Sequence, residues 1–353
     1  MKKYLALAMA GVMALGLAGC SSSSGSASGS KSDKQVLNVY NWGDYIDEEV
    51  LDMFEQETGI QVNYETFATN EDMYVKIKNG GTDYDIAIPS DYMIERMVNE
   101  DLLETIDTSQ LENYGQIDDF FKNLSYDPNN EYSVPYMWGT LGIVYNKTMV
   151  DKPVTSWDIL WDADYAGSIF MYNSQRDSIG VALKKLGYSL NTRNLDELNA
   201  ARDALIEQKP LVLSYLGDNI KDSMIAGEAA LAVMYSGDAV YCMSYNEDLA
   251  YAVPDEGSNY WFDGIVIPKT CQNKEAALKF IDFLCRPDVA LMNTEYIGYS
   301  TPVTGAKEML SEDMLNNPAY TPSAETLEKC ELFYDLGDFL QEYDKAWTEV
   351  FAS

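Results

Sequence analysis

Histidine is absent from this chain of 353 residues. Without an imidazole there can be no Ser-His-Asp or Cys-His nucleophile system, no histidine-based zinc site and no imidazole proton shuttle near neutral pH. Two carboxylates could still hydrolyse a glycoside, but a chain with 57 Asp and Glu residues always contains close pairs, so that possibility has no specific support. The missing histidine therefore counts against an enzyme.

Basic residues are scarce. Lys and Arg together number 24 against 57 acidic residues, which gives a formal net charge of −33 at pH 7. Nucleic-acid binding and docking of the folded surface onto anionic lipid both need clustered cations, so neither is expected here. The excess of carboxylates instead favours a cationic partner.

Motifs for common cofactors are also missing from the sequence. The glycines form neither a P-loop nor a dinucleotide-binding fingerprint, and the acids around Asp47 lack the spacing of a calcium loop. The five cysteines show no C-x-x-C or metal-ligand spacing, so we expect no cofactor and no metal. A disulfide is permitted outside the cell, although Cys285, on an apolar helix face, is better explained as a buried free thiol.

The N-terminus has the features of a targeting signal. Two lysines precede an apolar stretch at residues 4–17 that is too short and too rich in Gly and Ala for a membrane-spanning helix. The Leu-Ala-Gly-Cys sequence that follows resembles the bacterial lipobox, which implies a signal peptide at 1–19 and lipidation of Cys20. The alternative is an ordinary signal cleaved near Ala18. Residues 20–35 are expected to form a flexible tether that holds the folded body at the extracytoplasmic face of the cell membrane.

From residue 36 onward, apolar runs suited to strands alternate with amphipathic helices. The first half is predicted to contain strands at 36–40, 60–67 and 84–88, with helices from Asp47 to Gly59 and from Asn70 to Gly80. The second half is predicted to contain strands at 141–146, 211–213, 229–235 and 264–267, with helices over 195–209 and 273–285. This alternation predicts an α/β fold with a mostly parallel sheet.

Ligands of such sheets bind beyond the carboxyl ends of the strands. Two of those ends, at residues 41–45 and 90–92, are loops rich in aromatic and polar side chains. They are therefore the first places where we expect a site.

Acids stand beside aromatic residues at several predicted strand ends. Trp42 lies near Asp44, Trp261 lies near Asp263, and Tyr235 is followed closely by another Asp. An ammonium over an aromatic face gains roughly 0.5–2 kcal/mol, and pairing with a partly buried carboxylate gains on the order of 4 kcal/mol before desolvation. The pattern predicts a cationic, partly apolar ligand that the carboxylates select.

Several spaced motifs follow one another along the chain. They are 40–46 (YNWGDYI), 57–60 (ETGI), 84–92 (YDIAIPSDY), 134–139 (VPYMWG), 155–161 (TSWDILW), 261–264 (WFDG) and 297–302 (IGYSTP). In this order, and over roughly residues 36–340, they resemble the spermidine/putrescine-binding proteins of polyamine ABC transporters.

The resemblance implies a periplasmic-binding-protein fold of two α/β lobes with the ligand in the cleft between them. The chain would cross between lobes near residues 138–141, again near 261–264, and a third time near 307. Lobe 1 would comprise residues 36–140 and 262–307, and lobe 2 would comprise residues 141–261 and 308–353.

The resemblance also implies a set of ligand-binding residues. They are Trp42, Asp44, Tyr45, Ser90, Tyr92, Asp177, Tyr235, Trp261, Asp263 and Tyr299. Asp44 and Asp177 stand where the family often has Glu. Gly43 replaces a polar residue, Ser174 replaces an Asp, and Phe333 replaces a Gln of some members, so the contacts at these three positions differ from the family pattern.

The implied function is capture without chemistry, in which acids pair with ammonium groups and aromatic rings sandwich the methylenes. The partners would be the polyamine and the permease subunits of an ABC transporter, and the protein would be a monomer. Three alternatives stay open from the residues: a receptor of the same fold for another cationic amine, a surface-anchored hydrolase that uses two carboxylates, and an acidic adhesin or calcium-binding surface protein.

Overall fold

The structure is a computed structural model that describes residues 35–80, 82–217 and 219–353. The predicted signal peptide, Cys20 and nearly all of the predicted tether lie outside the described residues. Within the described part of the chain, no helix combines the length and the apolarity that crossing a membrane would require.

Short strands and helices alternate along the chain. The strands are β1 Val36–Trp42, β2 Gln61–Phe67, β3 Ile86–Ala87, β4 Ser133–Asn146, β5 Ile169–Tyr172, β6 Val212–Leu216, β7 Leu231–Tyr235, β8 Leu249–Ala252 and β9 Tyr260–Val266. The helices are α1 Glu48–Thr58, α2 Asn70–Lys78, α3 Asp91–Asn99, α4 Gln175–Lys185, α5 Leu195–Gln208, α6 Ile220–Ile225, α7 Ser236–Tyr245, α8 Lys274–Leu284, α9 Pro287–Ile297, α10 Thr304–Lys307, α11 Glu312–Leu315, α12 Ala324–Lys329 and α13 Leu340–Ala352.

The strands form one continuous path in the order β2-β1-β3-β9-β4-β7-β5-β6, and β8 also pairs with β4. Strands β1, β2 and β3 are parallel to one another, and so are β5, β6 and β7. The long strand β4 joins these two parallel groups, because its first part pairs with β9 and its second part pairs with β7 and β8. All four ladders that involve β4 or β9 are antiparallel, so the sheet is more mixed than the sequence predicted.

Helix α1 shows how closely local sequence fixes an element. The Asp47 carboxylate accepts the backbone N–H of Glu49 at 2.9 Å, and Gly59 ends the helix at φ 73°. Both ends lie where the sequence predicted them.

Strand β3 is shorter than predicted. The carboxylate of Asp85 accepts the backbone N–H of Asn38 at 2.9 Å and those of Gln272 and Asn273 at 2.9 Å each. At the start of the predicted strand, the Asp85 side chain therefore accepts backbone N–H groups of neighbouring segments. Only Ile86–Ala87 have the hydrogen-bond pattern of a strand.

The buried side chains form three hydrophobic clusters. The first gathers residues of β1, β3, β9, α3 and α8, together with Leu332. The second contains residues of β4, β5, α4, α5 and α13, and the third contains residues of β7, β8, α6 and α7. The first cluster includes the β4–β9 ladder, whereas the second half of β4 packs into the other two clusters; the lobe boundaries stay a prediction. The four described cysteines are free thiols, and burial raises the pKa of Cys285.

Candidate ligand-binding site

Asp263, on β9, carries a buried carboxylate of which only one oxygen is satisfied. The Tyr45 hydroxyl donates a hydrogen bond to its Oδ2 at 2.6 Å, whereas Oδ1 has no hydrogen-bond partner among the described residues. Burial raises the pKa of Asp263 to about 6, against the opposing effect of hydrogen bonds from Tyr45 and Ser90. An unpaired buried carboxylate oxygen is costly, so it calls for a cationic ligand.

Asp177, in the first turn of α4, repeats this arrangement. The hydroxyls of Ser174 and Tyr235 donate to its Oδ2 at 2.5 and 2.7 Å, and Oδ1 again finds no partner within the described part of the chain. Burial raises the pKa of Asp177, while the nearby guanidinium of Arg176 acts in the opposite direction. The structure therefore contains two buried acids that are each half satisfied.

A row of aromatic rings connects the two acids. From Tyr235, which binds Asp177, the ring centroids step 5.9 Å to Trp261, 4.8 Å to Tyr299 and 5.9 Å to Tyr45, which binds Asp263. The rings meet edge to face, a favourable arrangement for aromatic pairs. We call these four residues the aromatic row.

Two glycines allow rings of the aromatic row to pack directly against the backbone. A Cβ at Gly237 would lie 2.3 Å from the Tyr299 ring, and a Cβ at Gly139 would lie 2.8 Å from the Trp261 ring. Both rings therefore rest directly on backbone, so a larger residue at either glycine would displace them.

The start of α3 forms the wall next to Asp263. The side-chain amide of Asn70 donates to the hydroxyls of Ser90 and Tyr92 at 3.1 Å each, and its oxygen accepts the Ser90 N–H at 3.1 Å. Ser90 in turn forms an isolated antiparallel bridge with Asp263. The predicted residue Ser90 thus lies beside the acid, and Tyr92 is joined to Ser90 through Asn70.

Trp42 and Asp44 stand apart from this group. Trp42 is half-buried against Phe67, with ring centroids 4.5 Å apart, and Asp44 is exposed with φ 49°. Among the described residues, no hydrogen bond or ring contact joins either side chain directly to the aromatic row.

Sequence reasoning missed three residues that shape the site. Tyr136 donates from its hydroxyl to the Tyr45 carbonyl at 2.7 Å, and Asp91 accepts the backbone N–H of Phe262 at 3.1 Å. Arg176 lies next to Asp177 and is the third. Asp91 and Tyr136 fall inside the motifs 84–92 and 134–139, which is the signal in the sequence that points to them.

The arrangement suits an organic cation with an apolar middle. An ammonium at each unpaired carboxylate oxygen would satisfy it, and the rings between them would contact a hydrocarbon chain. Within the described residues, no group of three or more Cys, Asp or Glu side chains is arranged to hold a metal ion.

Residues 49–322 match the family model described as bacterial extracellular solute-binding protein. The chain belongs to this family. Membership confirms the predictions of a solute-binding protein rather than an enzyme and of action outside the cytoplasm.

Individual members of the family are similar over nearly the whole chain. The spermidine/putrescine-binding periplasmic protein of Salmonella typhimurium is 37% identical over 354 residues, with 99% of each chain covered. Among solved structures, the substrate-binding protein PotD of the spermidine/putrescine ABC transporter of Streptococcus pneumoniae is 46% identical with a TM-score of 0.83, covering 90% of this chain and 99% of that one. The TpPotD lipoprotein of Treponema pallidum is 30% identical with a TM-score of 0.82 over the same shares. These matches confirm the α/β periplasmic-binding-protein fold and the resemblance found in the motifs.

Proposed function

We propose that this solute-binding protein captures a polyamine, spermidine or putrescine, outside the cell and delivers it to the permease of an ABC transporter. The observation that carries the proposal is the pair of buried, half-satisfied carboxylates at the two ends of the aromatic row. The names of the relatives, which bind spermidine and putrescine, support the same ligand class.

In this proposal Asp263 and Asp177 each pair with one ammonium group. Tyr235, Trp261 and Tyr299 would contact the methylenes, while Tyr45 orients Asp263. Moving an amine out of water costs more free energy than its contact with the aromatic rings provides. The carboxylates therefore select the ligand, and the rings set its shape. Ser90 and Tyr92 would line the wall, and the more exposed Trp42 and Asp44 would meet the ligand at the mouth of the cleft.

Release and delivery would depend on movement of the lobes. A ligand that touches both lobes binds the closed form more tightly, so it shifts the population toward closure, and the closed form would be the one that the permease recognises. Lipidation at Cys20 would keep a monomeric receptor close to the permease.

A ligand screen with the purified folded domain tests the proposal. Putrescine and ornithine differ by one carboxylate, which would face Asp177 or Asp263 and be repelled. We expect putrescine and spermidine at about 100 times Kd to stabilise the protein by about 2.7 kcal/mol and to change its tryptophan fluorescence. Ornithine and a neutral sugar should do neither. A melting temperature that responds to a sugar or to calcium and to no polyamine would refute the proposal.

A further inference from the structure

Phe333 is a buried aromatic residue that belongs to none of the three hydrophobic clusters. It is 7% exposed, and its ring lies 4.3 Å from the guanidinium carbon of Arg176. On another side the ring packs over Gly180, where an added Cβ would lie 3.6 Å away. The ring therefore packs against a charged group and a helix backbone as well as against the apolar side chains that line the same space.

The backbone on both sides of Phe333 is fixed by hydrogen bonds. Arg176 donates to the Tyr334 carbonyl at 3.2 Å and to the Asn191 side-chain oxygen at 3.0 Å. The Asn191 amide donates to the Leu332 carbonyl at 2.7 Å. The phenyl ring is therefore held from its chain neighbours as well as by the stacked guanidinium.

Phe333 faces the same narrow space as Asp177. That space is also lined by Gly180, Leu190 and Trp157, and it is too narrow to hold a water molecule. Asp177 meets the aromatic row through Tyr235 and also borders this filled space, so an ammonium that pairs with Asp177 would lie close to both. A ligand chain could then extend from the nitrogen toward the aromatic row, while extension beyond Asp177 would meet packed side chains.

We infer that Phe333, held by Arg176, closes the cleft beyond Asp177, so that this end of the site accepts a terminal primary ammonium and rejects a nitrogen that carries a further alkyl group. The inference rests on the proposed function, because it concerns the end of the polyamine that meets Asp177. Rejection would be steric, since an N-alkyl ammonium keeps its positive charge and only its added carbons lack room.

The test compares putrescine with N,N′-diethylputrescine, which carries the same two charges but has an ethyl group on each nitrogen. Because both ends are substituted, the compound cannot avoid the Asp177 end by binding in reverse. We expect the wild-type protein to bind it at least about 30-fold more weakly than putrescine by isothermal titration calorimetry. In Phe333→Ala this ratio should fall at least about tenfold, with putrescine still bound.

Matched variants make each outcome decisive. Phe351→Ala removes an exposed phenyl from the end of α13 and should leave the ratio unchanged. If Phe333→Ala does not fold, Phe333→Leu keeps an apolar residue of smaller reach and should lower the ratio at least about threefold. An unchanged ratio in a folded Phe333 variant, or equal binding of both diamines by the wild type, would overturn the inference. A wild type that binds no polyamine would refute the proposed function instead.

Discussion

Asp263 illustrates at the scale of one residue how a solvent-excluded acid can select its ligand. One oxygen of the carboxylate accepts a hydrogen bond from Tyr45, and the other is unpaired among the described residues. An ammonium group can replace the hydrogen bonds to water that the unpaired oxygen loses on burial. We expect Asp263→Asn to weaken putrescine binding at least about tenfold, because hydrogen bonds to a charged group contribute about 1.5–3 kcal/mol. Isothermal titration calorimetry at pH 7.5 measures this directly.

Two exposed aspartates serve as comparisons for the Asp263 variant. Asp44 is exposed, and charge pairs in water contribute only up to about 1 kcal/mol, so Asp44→Asn should cost less than about fivefold. Asp313→Asn, on the exposed side of α11, should have no effect. Equal affinity of Asp263→Asn and wild type would show that this acid does not hold the ligand.

The hydrogen-bonded ladder between β3 and β9 is short, and beyond it the Asp91 side chain accepts a backbone N–H of β9. The two strands pair only at Ala87 and Val266. Beyond that point Gly264 N–H bonds to the Pro89 carbonyl at 3.0 Å, and Phe262 N–H bonds to the Asp91 carboxylate at 3.1 Å. Asp91 thus acts as the missing neighbour of β9, the strand that carries two residues of the site.

This role predicts different results for two substitutions of Asp91. Burial raises the pKa of its carboxyl to about 8, so the side chain is mostly neutral at pH 7, and an amide oxygen can accept the same Phe262 N–H. We expect Asp91→Ala to lower the free energy of unfolding by about 1–3 kcal/mol and to weaken putrescine binding. Asp91→Asn keeps the acceptor for Phe262 but turns its NH2 toward the Tyr92 N–H, which the other carboxylate oxygen accepts at 2.6 Å, so it should lie between the Ala variant and wild type in both. Urea unfolding and calorimetry distinguish the two, and an Asn variant as impaired as the Ala variant would show that the charge is needed instead.

The same elements show which features local sequence can predict. Helix α1 follows from a capping Asp and a terminal Gly within one segment, and the loops after β1 and β3 follow from the strand pattern. The bond from Phe262 to Asp91 joins residues 171 positions apart, and the shortening of β3 depends on Asp85 reaching chain segments far along the sequence. Contacts of that kind depend on how distant elements pack, which a strand pattern does not contain.

For the whole molecule, the missing histidine leaves a wide range of pH in which few groups titrate. Ordinary carboxyls are ionised above about pH 5.5 and ordinary amines on side chains stay protonated to about pH 9, so only the terminal amine, the cysteine thiols and perturbed groups change charge between these values. Burial raises the pKa of three acids, Asp177, Asp263 and Asp91, to about 6 for Asp263 and about 8 for Asp91. The pH dependence of the protein should therefore report on the site.

Asp263 and Asp91 hold protons in the folded protein that the unfolded chain releases near pH 4, so the stability each contributes is lost as pH rises from about 4 to its folded pKa, about 6 for Asp263 and about 8 for Asp91. We expect the free energy of unfolding of the ligand-free protein, measured with urea, to fall between about pH 5.5 and pH 8. Asp91→Asn should remove most of the fall above about pH 6, where Asp263 no longer contributes, and Asp263→Asn should reduce only the part below it. Putrescine binding needs ionised Asp263, so its affinity should weaken below about pH 6 in wild type and in Asp91→Asn alike. A free energy of unfolding that stays constant across this range would mean that neither acid is protonated in the folded state, and the assignment of Asp263 as a solvent-excluded acid awaiting a cation would be wrong.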